Sequence, residues 1–199
     1  MGSPATGRTL YFDVETTGFM RADAPRDHPS QPWIVQLGAV LADEDRVWAS
    51  VSVVIRAEGR EMLAEATRVH GYDAALADAV GVPEEAALGL FAALVDRAEH
   101  VVAHNLEFDL EFVSLGLERW LPKAAARLAR LAGTCTMKAG TPVCRLPGRH
   151  GSWKWPKLSE LHERLFGEGF EGQHDALADV MATRRCHLEL LRTERVVQG

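Results

Sequence analysis

The sequence predicts an α/β fold, in which helices pack on a mixed β-sheet. Its first half holds three β-rich runs, at residues 8–15, 33–43 and 46–57, which alternate partly between apolar and polar side chains. Its second half alternates helical patterns with two short strands, near residues 100–104 and 133–137. Three consecutive strands followed by alternating helices and strands are typical of a sheet with both antiparallel and parallel neighbours.

Helical periodicity accounts for most of the remaining chain. We expect Asn105 to cap a helix, because asparagine side chains accept hydrogen bonds from the first helical turn. Pro83 stands at the first position of another helix, where proline is tolerated. Residues 20–32 and 140–156 are expected to be irregular. The predicted helices cover residues 60–70, 73–80, 83–97, 105–120, 157–166 and 176–195.

Length and composition indicate one ordinary globular domain. The chain has 199 residues, of which 47% are hydrophobic and 25% charged. We expect a disordered segment at residues 1–7 and a single domain at 8–195. The longest apolar stretch, residues 86–95, has about half the length of a membrane-spanning helix, so no membrane association is expected. Three cysteines without a CxxC pair argue against a disulfide framework and for a reducing, cytoplasmic location.

Two acids interrupt the first strand. In "LYFDVETTGF", Asp13 and Glu15 alternate with the apolar residues Phe12 and Val14, and they therefore project from the same face of the strand. Two neighbouring anions on a buried face repel each other and lose hydration. The alternative is an edge strand whose acids face water.

Two further aspartates fall in the first turns of predicted helices. Asp109 follows Asn105 by four residues, and Asp179 follows Asp175, a good N-cap, by the same interval. Either aspartate alone could simply complement a helix dipole. Together with Asp13 and Glu15 they could form one acidic site, which would be untenable without cations. Two Mg²⁺ or Mn²⁺ ions, which prefer hard oxygen ligands, would neutralise it and could clamp a phosphodiester.

The three acid-bearing blocks carry a resemblance to a known family. "FDVETTGF", "HNLEFD" and "HDALAD" closely resemble the DEDDh branch of the 3′-to-5′ exonucleases, which includes the proofreading subunit of bacterial DNA polymerase III. The resemblance runs from about residue 8 to residue 192 and includes "PWIVQLGAV" and "VHGYD". It implies a ribonuclease H-like α/β fold. In that fold a three-strand antiparallel meander and two parallel strands form a mixed five-stranded sheet with helices on both faces.

The resemblance also implies roles for individual residues. The metal ligands would be Asp13, Glu15, Asp109 and Asp179. His174 would be the general base, which suits histidine because it titrates close to neutral pH. The reaction would be hydrolysis of the terminal phosphodiester, releasing a nucleoside 5′-monophosphate. The positions that would surround the terminal nucleotide are Thr16, Thr17, Gly18, Phe19, His70 and Asn105.

Several of these positions have an ordinary structural alternative. Phe19 could stack on the terminal base or make a loop-to-core contact. His70 could equally be a satisfied histidine at a helix end. Between residues 144 and 158, basic residues alternate with Trp153 and Trp155, a pattern that suits contact with single strands. The alternative is packing on the sheet edge, which we favour for Trp155 and leave open for Trp153.

The expected partners are 3′ ends of single-stranded DNA or RNA, with DNA favoured. A DNA polymerase is a further possible partner, because the family includes proofreading subunits as well as RNA-trimming enzymes. The chain ends soon after its last predicted helix, which favours a stand-alone enzyme. From another functional class, the chain could be a binding module that has lost the chemistry, although all five catalytic positions are filled.

Overall fold

The computed structural model of the protein describes the backbone of residues 7–198 and the side chains of residues 7–193. Residues 1–6, which belong to the segment predicted to be disordered, lie outside the described residues. The strands are β1 Thr9–Thr16, β2 Ile34–Ala42, β3 Val47–Val54, β4 His100–Ala103 and β5 Ala132–Cys135.

The five strands form one mixed sheet in the order β3-β2-β1-β4-β5. β2 is antiparallel to both β1 and β3, whereas β4 is parallel to β1 and β5 is parallel to β4. The predicted mixed sheet is therefore confirmed. Because β1 lies at its centre, the alternative that Asp13 and Glu15 belong to an edge strand is wrong.

Helices connect and cover the strands. Within the described part of the chain they are α1 Ala64–His70, α2 Ala74–Val80, α3 Glu84–Val95, α4 Leu106–Trp120, α5 Pro122–Leu128, α6 Thr136–Cys144, α7 Leu158–Phe166 and α8 Ala176–Gln198. Every predicted helix is present, with α1 starting four residues later than expected. None of the helices in this part is long and apolar enough to cross a membrane.

Two helices were not predicted. α5 begins at Pro122, in the position where helices accept proline. α6 occupies part of the stretch predicted to be irregular. That prediction was wrong because Gly140 and Pro142 are poor helix formers, yet both lie inside this helix. The missing side chain of Gly140 has a tertiary reason: a Cβ there would come within 2.6 Å of the side chain of Leu161 in α7. The close contact between α6 and α7 therefore depends on Gly140, the same residue that made a helix hard to predict here.

Alternating residues of β1 face two different layers of helices. Leu10, Phe12 and Val14 belong to the larger core, which includes residues of α3 and α4. The rings of Phe12 and Phe91 meet edge to face at 5.3 Å between centroids. Tyr11 faces the other way, into a smaller cluster that includes Val180 of α8. Since Asp13 and Glu15 share the parity of Tyr11, they lie on the α8 side of the sheet.

Candidate active site

β1 carries two acids to the end of the central strand. Asp13 and Glu15 are partly buried, and the pairing of β1 with β2 shifts its register immediately after Glu15. Irregularities of this kind end regular pairing and redirect side chains. The strand then turns at Thr16, whose hydroxyl donates to the carbonyl of Gly18 at 2.8 Å.

α4 brings the third acid to the same edge. Asp109 is buried, and its Oδ1 accepts a hydrogen bond of 3.0 Å from the backbone N–H of Val14, the residue between the two acids of β1. The helix begins after Asn105, which has a left-handed backbone with φ of 74° and makes no capping hydrogen bond through its side chain. Asn105 therefore occupies the predicted N-cap position, but the predicted cap by its side chain is wrong. Asparagine suits this position because it tolerates the left-handed conformation in which the chain leaves β4.

α8 brings the fourth acid, Asp179, to the site. The predicted cap at Asp175 is confirmed, since its Oδ1 accepts from the N–H of Ala178 at 3.1 Å. Gln36 of β2 joins this helix end to the sheet: its amide donates to Asp175 at 2.9 Å and accepts from the N–H of Ala176 at 3.1 Å. At Gly38 a Cβ would lie only 2.5 Å from the carbonyl of Ala176. The helix end therefore rests directly on the backbone of β2.

His174 stands at the rim of the acidic site. Its side chain is exposed, and its backbone has φ of 68°, an uncommon conformation for a residue other than glycine. Its N–H donates to Oδ2 of Asp179 at 3.1 Å. Side-chain ligand atoms of His174, Asp179 and Glu15 all lie within 4.8 Å of one another. Such left-handed residues are often found at functional sites, where the surrounding structure holds them.

The acids strongly perturb one another. Burial raises the pKa of Asp13 well above its ordinary value, and the charges of Asp109, Asp179 and Glu15 raise it further. Burial also raises the pKa of Asp109 well above normal, against the hydrogen bond from Val14. Two contacts bring these acids together: Asp109 accepts from the N–H of Val14, between Asp13 and Glu15, and ligand atoms of Glu15 and Asp179 lie within 4.8 Å of each other.

The two remaining carboxylates respond in the same direction. Burial, followed by the charges of Asp179 and Asp175, raises the pKa of Glu15 to about 8. Burial raises the pKa of Asp179 to about 6, although the neighbouring His174 opposes this shift. A group of buried oxygen ligands that resist ionisation suits hard divalent cations, which would compensate the charge of the ionised acids.

A cavity of about 540 Å³ opens beside the acids. Its wall includes five of the six residues predicted to surround a terminal nucleotide, namely Thr16, Thr17, Gly18, Phe19 and His70. Glu15 forms part of the same wall, which joins the cavity to the acidic site. Asn105, the sixth predicted residue, is not part of this lining.

The structural alternatives for Phe19 and His70 are each met only in part. The side chain of Phe19 is 81% exposed, and its ring meets that of Phe108 edge to face at 5.6 Å between centroids. Phe19 thus makes a loop-to-core contact with Phe108, which packs on the larger core, while most of its ring stays open to solvent. His70 is buried at the end of α1, and its Nδ1 accepts from the N–H of Tyr72 at 3.1 Å. Its Nε2 has no partner among the described residues, so the ring is only half satisfied.

Two residues that organise the site carried no predicted role. Gln36 is buried in a strand whose nine residues are all buried, and an amide in such a run is a signal that could have been used. His104 follows β4, and its ring nitrogens contact Thr136 Oγ1 and the carbonyl of Pro156, each at 3.0 Å. It thereby ties the end of β4 to the segments that follow β5.

Comparison with known proteins identifies a family and a fold. Residues 10–186 match the RNase_T exonuclease family. Among solved structures, Escherichia coli Exonuclease I in complex with a dT13 oligonucleotide has a TM-score of 0.74 at 20% identity. The zinc-bound form of the E. coli enzyme with single-stranded DNA has a TM-score of 0.69 at 23% identity. No curated protein matches the sequence.

The likeness to Exonuclease I concerns the fold. The match with the dT13 complex covers 97% of the present chain but 43% of the Exonuclease I chain, and that with the zinc-bound form covers 94% and 41%. The chain thus spans less than half the length of those proteins. The family match covers residues 10–186, which include all four acids and His174. The chain therefore belongs to the RNase_T exonuclease family.

Proposed function

We propose that the protein is a metal-dependent exonuclease that removes nucleoside 5′-monophosphates from the 3′ end of single-stranded nucleic acid, with DNA as the preferred substrate. The observation that carries this proposal is the convergence of four acids from β1, α4 and α8 beside a nucleotide-sized cavity. The Exonuclease I structures with dT13 and dA16 support a single-stranded DNA substrate.

Asp13, Glu15, Asp109 and Asp179 would hold two Mg²⁺ or Mn²⁺ ions. Four ionised carboxylates carry the charge that two divalent cations balance, and their oxygen atoms are the ligands that these ions prefer. When bound, such ions supply Lewis acidity to the attacking water and stabilise the charge that develops on the leaving oxygen.

His174 would act as the general base. As water attacks the terminal phosphorus, an imidazole nitrogen accepts the proton, and the bond from phosphorus to the 3′ oxygen of the penultimate nucleotide breaks. That oxygen takes up a proton from water and becomes the new 3′ hydroxyl of the shortened strand. The hydrogen bond from the backbone of His174 to Asp179 keeps the base next to the acidic site.

The cavity beside Glu15 would receive the terminal nucleotide. The turn at Thr17 is held rigidly, because its N–H donates to the carbonyl of Trp33 and its Oγ1 accepts from the N–H of Trp33, both at 3.1 Å. The buried Nε2 of His70 offers a hydrogen-bond donor to the nucleotide. The exposed ring of Phe19 offers a stacking face that suits any base.

A 5′-labelled single-stranded oligonucleotide tests this function directly. The labelled strand is incubated with the protein and Mg²⁺, Mn²⁺ or EDTA, with DNA and RNA of matched sequence side by side. We expect a ladder that shortens from the 3′ end with either metal, faster on DNA, and none with EDTA. Tight binding without a ladder would instead indicate a binding module, and faster cleavage of RNA would reverse the proposed preference.

A further inference from the structure

Residues 144–158 have a charge opposite to that of the whole chain. The segment contains four basic residues and no acid, whereas the protein has a formal charge of −6. All four basic side chains, of Arg145, Arg149, Lys154 and Lys157, belong to exposed residues. One of them, Lys154, is paired with Glu160 at 2.6 Å. The segment is thus a local basic patch suited to an anionic partner.

The same segment exposes two large aromatic side chains. Trp153 is 53% exposed and Trp155 is 61% exposed. The predicted packing of Trp155 on the sheet edge is therefore wrong. Two neighbouring indoles left in contact with water indicate a surface that another molecule covers.

Short-range contacts hold this segment in a defined shape. The N–H of Lys154 donates to the carbonyl of Leu146, and the N–H of Gly148 donates to that of Ser152, both at 2.9 Å. Trp153 lies in the bridge that closes this hairpin, and Trp155 precedes a proline, which favours extended backbone. In extended backbone, residues two apart share a face and stand roughly 7 Å apart, about twice the 3.4 Å rise per nucleotide along the axis of stacked duplex DNA.

The segment is bonded to the chain just after β4, at the end of the sheet where the acids lie. Nε2 of His104 donates to the carbonyl of Pro156, which directly follows Trp155, at 3.0 Å. Pro156 is buried, so it anchors the exposed indole beside it. His104 immediately precedes Asn105 and the helix that carries Asp109. The indoles are thus tied to the site through one side-chain hydrogen bond and one short helical segment.

We infer that Trp153 and Trp155 form a stacking platform for the single-stranded substrate upstream of its 3′ end, while Arg149 and Lys157 contact its phosphates. This inference rests on the proposed function, and it adds a site outside the nucleotide cavity. Bases stack on aromatic rings without regard to sequence, and basic side chains follow the backbone. The platform would make cleavage of long strands more efficient than cleavage of a dinucleotide, which is too short to reach it.

Alanine variants of the two tryptophans test the platform on substrates of two lengths. With Mg²⁺, kcat/KM is measured for dT12 and for the dinucleotide dTpdT. We expect each substitution, Trp153→Ala or Trp155→Ala, to lower kcat/KM on dT12 about 10-fold, chiefly through KM. Cleavage of dTpdT should stay unchanged, which also verifies that the variants fold. Trp48→Ala is the matched control. Trp48 is 51% exposed, but it lies in β3, the edge strand farthest from β5.

Binding in the absence of cleavage separates the platform from the proposed function. Anisotropy of 5′-fluorescein dT12 is measured in EDTA, where we expect the double alanine variant to bind far more weakly than the wild type. Arg149→Ala should reduce the slope of log affinity against log salt by about 0.7. If the alanine variants unfold, phenylalanine at both positions should preserve binding and leucine should not.

The possible outcomes are distinct. A wild-type protein that cleaves neither substrate refutes the proposed function, while the anisotropy measurement still decides the platform. A double variant with wild-type affinity and wild-type cleavage of dT12 refutes the platform and assigns this surface to another partner. Wild-type protein that does not bind dT12 in EDTA also refutes it.

Discussion

Burial and neighbouring acids oppose the ionisation of Asp13 in the metal-free protein. Four other carboxylates, those of Asp109, Asp179, Glu15 and Asp175, each make its ionisation less favourable. In the metal-loaded enzyme the same side chain would be a ligand. Its contribution to folding and its contribution to catalysis are therefore expected to have opposite signs.

Replacing Asp13 by alanine should separate these two contributions. We expect Asp13→Ala to abolish cleavage, a loss of at least about 1,000-fold, because a ligand of the catalytic cations is removed. In EDTA its melting temperature should rise, since repulsion among the remaining acids falls. Asp45→Ala, an exposed acid in the turn between β2 and β3, is the control and should leave both quantities unchanged. Cleavage by Asp13→Ala at the wild-type rate would refute the role of this side chain.

His70 combines a buried ring with an unused donor. Burial and the neighbouring His174 lower its pKa, so the ring is neutral near pH 7 and its Nε2 can donate to a substrate atom. We expect His70→Leu to lower kcat/KM about 10-fold, the typical effect of removing a hydrogen bond to substrate. The melting temperature should fall modestly, because leucine cannot accept the hydrogen bond that Nδ1 receives from the N–H of Tyr72, whereas Nε2 has no partner to lose among the described residues. The exposed His28 provides the control substitution, His28→Leu, and equal effects of the two changes would argue against a substrate contact.

At the scale of elements, the position of α8 on β2 decides whether the fourth acid and the base reach the site. Gly38 pairs with Asp13 across the two strands, and the first carbonyl of α8 lies directly above it. Gln36 holds the same helix end from the side. Any side chain at position 38 must lift the helix, and with it His174 and Asp179.

Gly38→Ala therefore tests the link between packing and catalysis. We expect it to destabilise the fold by about 1–3 kcal/mol, as overpacking of a core does, and to reduce kcat more than it raises KM. Denaturant unfolding and steady-state cleavage measure the two effects. Gly89→Ala in α3 is a matched control, because an added Cβ meets nothing within 4 Å there. That change should stabilise the helix by about 0.5–1 kcal/mol. Wild-type stability of Gly38→Ala would mean that the helix does not rest on the strand.

At the scale of the whole molecule, the acidic site links stability to pH and to divalent ions. The folded-state pKa of Glu15 is raised from 4.5 to about 8, and that of Asp179 from 3.8 to about 6. For each acid, at pH values between its unfolded-state pKa and its raised folded-state pKa, the folded protein binds more protons than the unfolded chain. The stability of the metal-free protein must therefore fall as pH rises through these windows. The contribution of Glu15 and Asp179 to stability is greatest below their unfolded-state pKa values.

Thermal melting in EDTA and in Mg²⁺ or Mn²⁺ tests this linkage. In EDTA we expect the contribution of the site to melting temperature to decline from about pH 4 to about pH 8. Metal ions should raise the melting temperature strongly near pH 8, where ionised carboxylates bind them, and little near pH 5, where protons compete. Asp13→Ala should weaken the metal effect. A melting temperature that responds equally to metal at both pH values would contradict the raised pKa values.

Local features of the sequence predicted most of the secondary structure and the regions that meet at the site. The apolar alternation of β1, the cap at Asp175 and the three acid-bearing blocks are short-range patterns, and each corresponds to an observed element or cluster. The expected side-chain cap at Asn105 was wrong because that residue turns the chain out of β4 in a left-handed conformation. α6 was missed because its helix is supported by contact with α7.

The sequence by itself therefore determined the order of the elements, the family and the residue types available for chemistry. Only the tertiary structure decided that β1 is central, that Gln36 and Gly38 hold α8 against it, and that the indole of Trp155 faces water. The physical reason is range. Periodicity, caps and turns act over a few residues, whereas burial and electrostatic coupling depend on partners as far apart as Gln36 and Ala176, which lie 140 positions apart in the chain.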